Sequence, residues 1–150
     1  MKLKIPPLIQ FLFIAIAMWV VDWQFPQFAM SFAGQRAASS ALFLSGLIMG
    51  SIAVSGFRRA DTTPNPLDPS KASTLVISGL YKATRNPMYL GMLLGLTGIA
   101  IWFGNPLNIG MLILFVWYMT EFQIKPEEES LREKFGGDYE AYCKKVRRWI

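Results

Sequence analysis

The sequence of 150 residues contains no histidine and one cysteine. A single cysteine, Cys143, excludes a disulfide within the chain and a cluster of thiolate ligands. Without histidine, zinc and haem sites of the usual kind lack their commonest ligand, so we predict no metal. Cys143 is also a poor candidate for a nucleophile, because no histidine is present to activate it.

Positive charge is scarce in two of the segments that separate the apolar blocks. Of 15 Lys and Arg residues, one, Arg36, lies between the first two blocks, and the turn at 104–106 holds none. If four helices cross a membrane, the other fourteen fall on one side, which the positive-inside rule makes cytoplasmic together with both termini. The net charge of +5 then indicates topology and contact with anionic lipids rather than with nucleic acid.

The apolar residues come in four blocks. The chain is 53% hydrophobic with a mean hydropathy of +0.32, and the blocks are residues 8–23, 37–57, 87–103 and 107–122. Only the second reaches the ~20 residues that cross a membrane upright. We predict an all-α integral membrane protein with about four transmembrane helices, a C-terminal helical hairpin and short cytoplasmic helices.

The first block has a second interpretation as a signal peptide, since Lys2 and Lys4 precede it. No clear small-residue cleavage site follows Val21, and Trp23 and Phe25 are typical of an aromatic belt. We therefore expect a retained helix, in a multi-pass protein of a bacterial-type inner membrane. The single domain divides into two spans (1–57), a cytoplasmic loop (58–86), a transmembrane hairpin (87–124) and an amphipathic tail (125–150).

Asn-Pro pairs mark two predicted helix starts. Asn86-Pro87 has the residue types of N-cap and first helical position, and Asn105-Pro106 repeats the pattern. Residues 104–106 then form a tight hairpin turn. Tyr89 lies 15 residues before this turn and Glu121 lies 15 after it, so both reach a similar depth.

The loop and tail carry further signals. Residues 58–70, with Pro64, Pro66 and Pro69, predict a polar loop, and Ser78-Gly79 predicts a turn. In the tail we expect one helix opened by Pro126 and ended by Gly136, and another capped by Asp138. The second helix has an apolar stripe suited to docking, formed by Tyr139, Tyr142, Cys143 and Val146.

Two polar clusters are the candidate site: residues 78–91, before the third helix, and the glutamates 127–129. Each has an ordinary explanation, because glutamates favour a helix N-terminus and arginines reach towards lipid phosphate. The helix depths place the clusters opposite each other at a membrane surface. Clustered polar residues at such a place favour binding or chemistry.

An ordered set of motifs runs from about residue 73 to 149. It comprises Ser78-Gly79-x-Tyr81, Arg85-Asn86-Pro87-x-Tyr89-x-Gly91, Glu127-Glu128-x-x-Leu131-x-x-x-Phe135-Gly136 and Val146-x-Arg148-Trp149. This set resembles the isoprenylcysteine carboxyl methyltransferase family and, more distantly, the phospholipid N-methyltransferases. The resemblance implies an integral membrane enzyme that uses S-adenosylmethionine.

The resemblance also implies the site residues. The cofactor site would comprise Thr74, Leu75, Val76, Tyr81, Arg85, Asn86, Pro87, Met88, Tyr89, Glu127 and Glu128. Asn86, Tyr89 and Glu127 would act in catalysis, and Gln123 and Met92 would contact the substrate. Two positions depart from the family: eukaryotic members have histidine at Asn86, and arginine near the substrate carboxylate at Gln123.

The expected acceptor is a lipophilic molecule in the membrane, such as an isoprenylcysteine-like carboxylate, which needs no base. A phospholipid amine is the alternative within the family. Membrane sterol-type reductases offer another reading, but NADPH phosphates call for several arginines, and Arg85 is the only arginine in the motifs around the proposed cofactor. A non-enzymatic adaptor would explain the spans but not the clustered motifs. The sequence leaves the oligomeric state open.

Overall fold

The computed structural model describes residues 5–59 and 74–150, and within these ranges the chain is helical with no β-strand. The predicted all-α class is therefore confirmed. Lys2, Lys4 and the loop prolines Pro64, Pro66 and Pro69 lie outside the described residues. The helices are α1 (Pro7–Gln24), α2 (Gln35–Arg59), α3 (Pro87–Phe103), α4 (Asn108–Met119), α5 (Lys125–Phe135) and α6 (Gly137–Lys145).

Two of these helices, α1 and α2, are long and apolar enough to cross a membrane. Their outer surfaces fit a lipid environment, since Phe13 is 72% exposed and Ile48 is 60% exposed. Helix α3 has 17 residues and α4 has 12, both shorter than an upright span. The four spans and the transmembrane hairpin therefore stay a prediction.

Helices α2 and α3 run antiparallel with their backbones in contact at glycines. A Cβ atom added to Gly46 would overlap the carbonyl oxygen of Gly91 and lie 2.8 Å from the nitrogen of Gly95. Nearer the other end, Ser39 Oγ donates a hydrogen bond of 2.8 Å to the carbonyl of Gly98. Small residues allow the two backbones to come this close. In a membrane such close packing stabilises a helix pair, because there is no hydrophobic driving force between helices surrounded by lipid.

The core between α1, α3 and α4 is formed by large side chains. Met18, Leu96, Phe115 and Met119 are each 0–1% exposed and form one cluster. Tyr89, near the start of α3, belongs to the same cluster. The core therefore extends from the middle of the bundle to the end where the polar motifs lie.

Helix α3 has the predicted bounds. Asn86 occupies the N-cap position, but its side chain makes no capping hydrogen bond. At the other end Gly104 has φ +67°, and an added Cβ would overlap the carbonyl oxygen of Met30. The Met30 N–H donates to the Gly104 carbonyl at 3.0 Å, which fixes the α1–α2 connection to this turn.

The predicted start of α4 at Asn105-Pro106 is wrong, because the helix begins at Asn108. Asn105 Oδ1 accepts a hydrogen bond of 3.2 Å from the Leu107 N–H, and its Nδ2 donates to the Phe25 carbonyl at 3.0 Å. The asparagine therefore builds a local turn that is tied to α1, rather than a helix cap.

The predicted helix start at Pro126 is also wrong. Helix α4 passes into a π turn, Thr120–Ile124, which leads directly into α5. The Lys125 N–H bonds to the Thr120 carbonyl five residues back, so the hydrogen-bond register changes just before the proline. The chain therefore continues as a helix from Asn108 to Phe135.

The tail helix α6 begins at Gly137, after Gly136 with φ +51°, so Asp138 is not its cap. Its predicted apolar stripe is confirmed: Tyr139, Tyr142 and Val146 are buried in one cluster, and Cys143 packs against them. The stripe docks α6 on the rest of the chain.

We predict that Gly46→Ala lowers the free energy of unfolding by roughly 1–3 kcal/mol, since the added methyl separates α2 from α3. The measurement is thermal or denaturant unfolding in detergent. Gly110→Ala is the matched control, because a Cβ there meets nothing within 4 Å. The control should be neutral or stabilising by up to ~1 kcal/mol. Equal stability of the Gly46 variant would contradict the close contact.

Candidate functional site

The two predicted polar clusters meet where α3 and α5 begin. The Tyr89 hydroxyl donates a hydrogen bond of 2.9 Å to Glu127 Oε2, and Gln123 Nε2 donates to the Tyr89 oxygen at 3.4 Å. The first turn of α3 places Tyr89, and the π turn directs Gln123 into the core, where it is 1% exposed. The start of α3 and the glutamates of α5 are therefore neighbours, as the helix depths predicted.

Glu127 is a partly buried carboxyl group without a cationic partner among the residues described. Burial raises the pKa of Glu127 to about 8, the hydrogen bond from Tyr89 acts in the opposite direction, and the negative charge of Glu128 adds to the rise. The group is therefore mainly protonated at neutral pH. A positive charge placed beside it would favour the ionised form.

Glu128 has the opposite environment. Its Oε1 accepts hydrogen bonds from Arg85 Nη2 at 2.7 Å and Arg148 Nε at 3.0 Å, and its Oε2 accepts from Arg148 Nη2 at 2.7 Å. Burial pushes the pKa of Glu128 upwards, but the hydrogen bonds from Arg148 and Arg85 and their charges hold it below its usual value. Glu128 is thus an ionised anchor for two arginines.

Residues 146–149 lie along the loop that precedes α3. The Arg85 N–H donates to the Arg147 carbonyl at 3.0 Å, and Arg85 Nη1 donates to the Val146 carbonyl at 2.8 Å. Asn86 Nδ2 donates to the Arg148 carbonyl at 2.9 Å. The side chains of Arg85 and Asn86 therefore hold this segment against the motif.

Two further bonds fasten the same segment. Thr84 Oγ1 donates to the Arg148 carbonyl at 3.2 Å. Trp149 Nε1 donates to Thr120 Oγ1 at 3.1 Å, and the Trp149 ring packs on the main core cluster. Residues 146–149 are consequently held against the loop before α3 and against the main core cluster.

Tyr81 lies in an apolar cluster that also contacts the start of α3. Its ring meets Phe57 of α2 edge-on at 5.4 Å, and it packs in a cluster with Val76 and Met88. Burial raises the pKa of Tyr81, and the charges of Glu127 and Tyr142 raise it further.

The other predicted site residues are less closely joined. Thr74 is exposed, Leu75 packs on the α6 cluster, and Pro87 is buried as the first residue of α3. Met92 lines a cavity between α1, α2 and α3 instead of touching Glu127. Their roles in binding stay predictions.

Sequence reasoning did not assign a role to Arg148, although the residue stood in the motif set. It holds Glu128 with two hydrogen bonds. In the sequence Arg148 is one of several basic residues close together. Only the folded chain shows that its partner is Glu128. Thr84 was missed for the same reason.

Comparison with known proteins gives a consistent result. A family model described as phospholipid methyltransferase matches residues 35–138. An uncharacterised protein of Haemophilus influenzae is 44% identical over 63 residues, which cover 42% of this chain and 100% of that protein. No solved structure matches.

Named relatives are isoprenylcysteine methyltransferases. A probable protein-S-isoprenylcysteine O-methyltransferase of Oryza sativa subsp. indica is 36% identical over 72 residues, covering 48% of this chain and 38% of that protein. The protein-S-isoprenylcysteine O-methyltransferase of Schizosaccharomyces pombe is 34% identical over 77 residues, covering 51% and 33%. The matches thus span about a third of the length of these relatives, and they confirm the resemblance predicted from the motifs.

We predict that Glu128→Gln lowers the free energy of unfolding by roughly 3 kcal/mol, because it leaves two partly buried arginines without their anion. Thermal unfolding in detergent measures the change. Glu129→Gln is the control, since Glu129 is exposed and pairs with exposed Arg132 at 2.8 Å; it should cost less than ~1 kcal/mol. Similar losses for both variants would show that Glu128 is not the anchor.

Proposed function

Because the chain belongs to the phospholipid methyltransferase family, we propose that it transfers a methyl group from S-adenosylmethionine to a lipophilic acceptor in a membrane. The observation that carries this proposal is Glu127, a partly buried carboxyl group with a tyrosine partner and no cation among the residues described. Its neighbour Glu128 has two arginines. An unpaired carboxyl group beside aromatic rings suits a cationic ligand.

The residues present fit such a cofactor. When bound, it supplies a methyl group on a positively charged sulfur, which is already activated for displacement. Tyr89 and Glu127 would face its charged or hydroxyl-bearing part, and Tyr81, Val76 and Met88 provide apolar surface for the adenine. Arg85, Asn86 and Glu128 would act by holding residues 146–149 in place.

Catalysis in this proposal depends on alignment and exclusion of water rather than on a base. The Glu127 carboxylate and the Tyr89 hydroxyl orient the donor, and Trp149 and Met88 shield the site. A carboxylate acceptor is already a nucleophile, so no residue has to remove a proton. This requirement agrees with a chain that lacks histidine.

We propose an isoprenylcysteine-like carboxylate as the acceptor, in line with the names of the relatives. Gln123 would offer its amide to the acceptor from beside Tyr89, and Met92 would contact the lipid tail. The description of the family model favours a second candidate, a phospholipid amine. That acceptor needs a base, and Glu127, with its raised pKa, is placed to serve.

We also propose that the protein crosses a bacterial-type inner membrane several times, with both termini in the cytoplasm. The distribution of Lys and Arg supports this orientation. A water-soluble cofactor would then reach Tyr89 and Glu127 from the cytoplasm, and the lipophilic acceptor would arrive from the bilayer.

Binding of S-adenosylhomocysteine, measured by calorimetry, tests the proposed function. We expect Glu127→Gln and Tyr89→Phe to weaken binding at least about tenfold, a change typical of losing one charge-assisted hydrogen bond. Glu129→Gln, two residues along the same helix, should bind like the wild type. Failure of the wild type to bind in detergent and in nanodiscs would remove the function. Normal binding by both site variants would remove only the site assignment.

Titrations with S-adenosylmethionine, whose sulfur is positively charged, have a second readout in the number of protons exchanged. With a pKa of about 8, Glu127 carries its proton at pH 7 and must lose it to pair with a cation. The wild type should therefore release about one proton more than Glu127→Gln at pH 7, and its affinity should rise with pH until about pH 8. Calorimetry in buffers of different ionisation enthalpy gives the count. Equal counts would show that Glu127 stays protonated in the complex.

The acceptor class can be read from the product. Incubation of the protein with a lipid extract and methyl-labelled S-adenosylmethionine should yield a labelled lipid that loses its label in mild alkali, because methyl esters hydrolyse and methylamines do not. Glu127→Gln provides the inactive control. A base-stable label on an ethanolamine headgroup would instead establish the phospholipid amine as acceptor.

A further inference from the structure

Thr120 is the first residue of the π turn that joins α4 to α5. Its hydroxyl donates a hydrogen bond of 2.6 Å to the Val116 carbonyl, one turn earlier in the same helix. The same oxygen accepts the bond of 3.1 Å from Trp149 Nε1. The Thr120 carbonyl accepts the N–H of Lys125, which is the longer-range bond of a π turn. One residue thus joins α4, the π turn and the segment 146–149.

Arg148, the neighbour of Trp149, contacts the other side of the π turn. Its guanidinium donates two hydrogen bonds, of 3.0 and 2.7 Å, to Glu128 in the first turn of α5. The adjacent residues Arg148 and Trp149 therefore hold one point before the π turn and one point after it. Two attachments to one short segment resist rotation of α5 relative to α4. Glu127 lies between the two attached points, so this rotation sets its direction.

The core supports the same arrangement. Ile124, the last residue of the π turn, is buried in the cluster that contains Tyr89, and the Trp149 ring packs against that cluster. With the π turn in this position, Glu127 accepts the hydrogen bond of 2.9 Å from the Tyr89 hydroxyl. The contact between Glu127 and Tyr89 thus depends on the turn that Thr120 begins.

The protonation of Glu127 reports its direction. The titratable groups around it are Tyr89 of α3, Tyr81 of the loop before α3 and Glu128 of its own helix. Burial raises the pKa of Glu127 to about 8. If α5 rotated and exposed the carboxyl group to water, its pKa would return towards the ordinary range of a glutamate.

We propose that Thr120 is a positioning residue, whose hydroxyl couples residues 146–149 to the π turn and thereby holds Glu127 at Tyr89. This role rests on the proposed function, in which Glu127 and Tyr89 orient the methyl donor. Thr120 itself touches neither donor nor acceptor and acts through the direction of α5. The direction of Glu127 can be measured without any ligand.

The test uses infrared spectroscopy of the whole chain in nanodiscs, which follows the protonated carboxyl band of Glu127 against pH. Glu127→Gln identifies the band, which in the wild type should disappear around pH 8. Thr120→Val keeps the branched shape and removes the hydroxyl, and Trp149→Phe keeps a ring and removes the N–H. Both should lower the midpoint by at least about one pH unit. Both should also weaken binding of S-adenosylmethionine about threefold to tenfold, the effect of one lost hydrogen bond.

The controls separate this role from stability alone. Thr120→Ser keeps the hydroxyl and should restore the midpoint and most of the affinity. Thr97→Val is the matched control, because Thr97 Oγ1 also donates to a carbonyl of its own helix, that of Leu93 at 2.8 Å, and bonds to no distant residue among those described. It should leave the midpoint unchanged. The double variant of Thr120→Val and Trp149→Phe should add little to either single change, since each removes the same bond.

The outcomes distinguish the positioning role from the proposed function. An unchanged midpoint in folded Thr120→Val and Trp149→Phe, even with a lower unfolding temperature, would overturn the role of Thr120 and leave the proposed function intact. An equal shift in Thr97→Val would also overturn it. A lowered midpoint in both variants, with a wild type that binds neither S-adenosylmethionine nor S-adenosylhomocysteine, would support the control of Glu127 by Thr120 and refute the proposed function. If Thr120→Val does not fold, Trp149→Phe decides by the same criteria.

Discussion

The Glu128 carboxylate joins three segments that are far apart in the sequence: α5, the loop before α3 and residues 146–149. Two guanidinium groups in a partly buried place would repel each other without an anion between them. With that anion present, Arg85 can also bond to the backbone after α6, and the Tyr142 hydroxyl reaches the Tyr81 carbonyl at 2.7 Å. Glu128 is therefore the ionised group that neutralises both arginines where these segments meet, and it need not touch a ligand to do so.

Glu127 and Glu128 have different roles that one carboxylate could not fill at the same time. A carboxylate that stabilises the fold needs cationic partners within the protein, whereas a carboxylate that binds a cationic ligand must have no such partner. Consecutive residues of a helix point about 100° apart, so one turn can direct Glu128 to the arginines and Glu127 to Tyr89. The incomplete environment of Glu127 costs stability, because burial raises its pKa and the group then takes up a proton on folding at neutral pH.

Local chemistry made much of the fold predictable. Helix α3 has its expected bounds because Pro87 starts the helix and Gly104 ends it through their own backbone preferences. The apolar stripe of α6 follows from the spacing of its residues along a helix. Local signals misled where a side chain had a distant partner: Asn105 bonds to α1, and the π turn carries the helix through Pro126. The closeness of Tyr89 to Glu127 followed from counting residues, but nothing local reveals that Arg148 meets Glu128.

The π turn sets the direction in which α5 presents its side chains. A π turn accommodates one residue more than a regular helix, and the surplus can be removed without breaking the helix. If the same residues between Thr120 and Ile124 kept α-helical bonding, everything beyond them would be rotated by about 100°. Glu127 would then face away from Tyr89 in a helix of otherwise ordinary sequence. The change of hydrogen-bond register at the π turn thus sets whether α5 presents this carboxylate to the bundle or away from it.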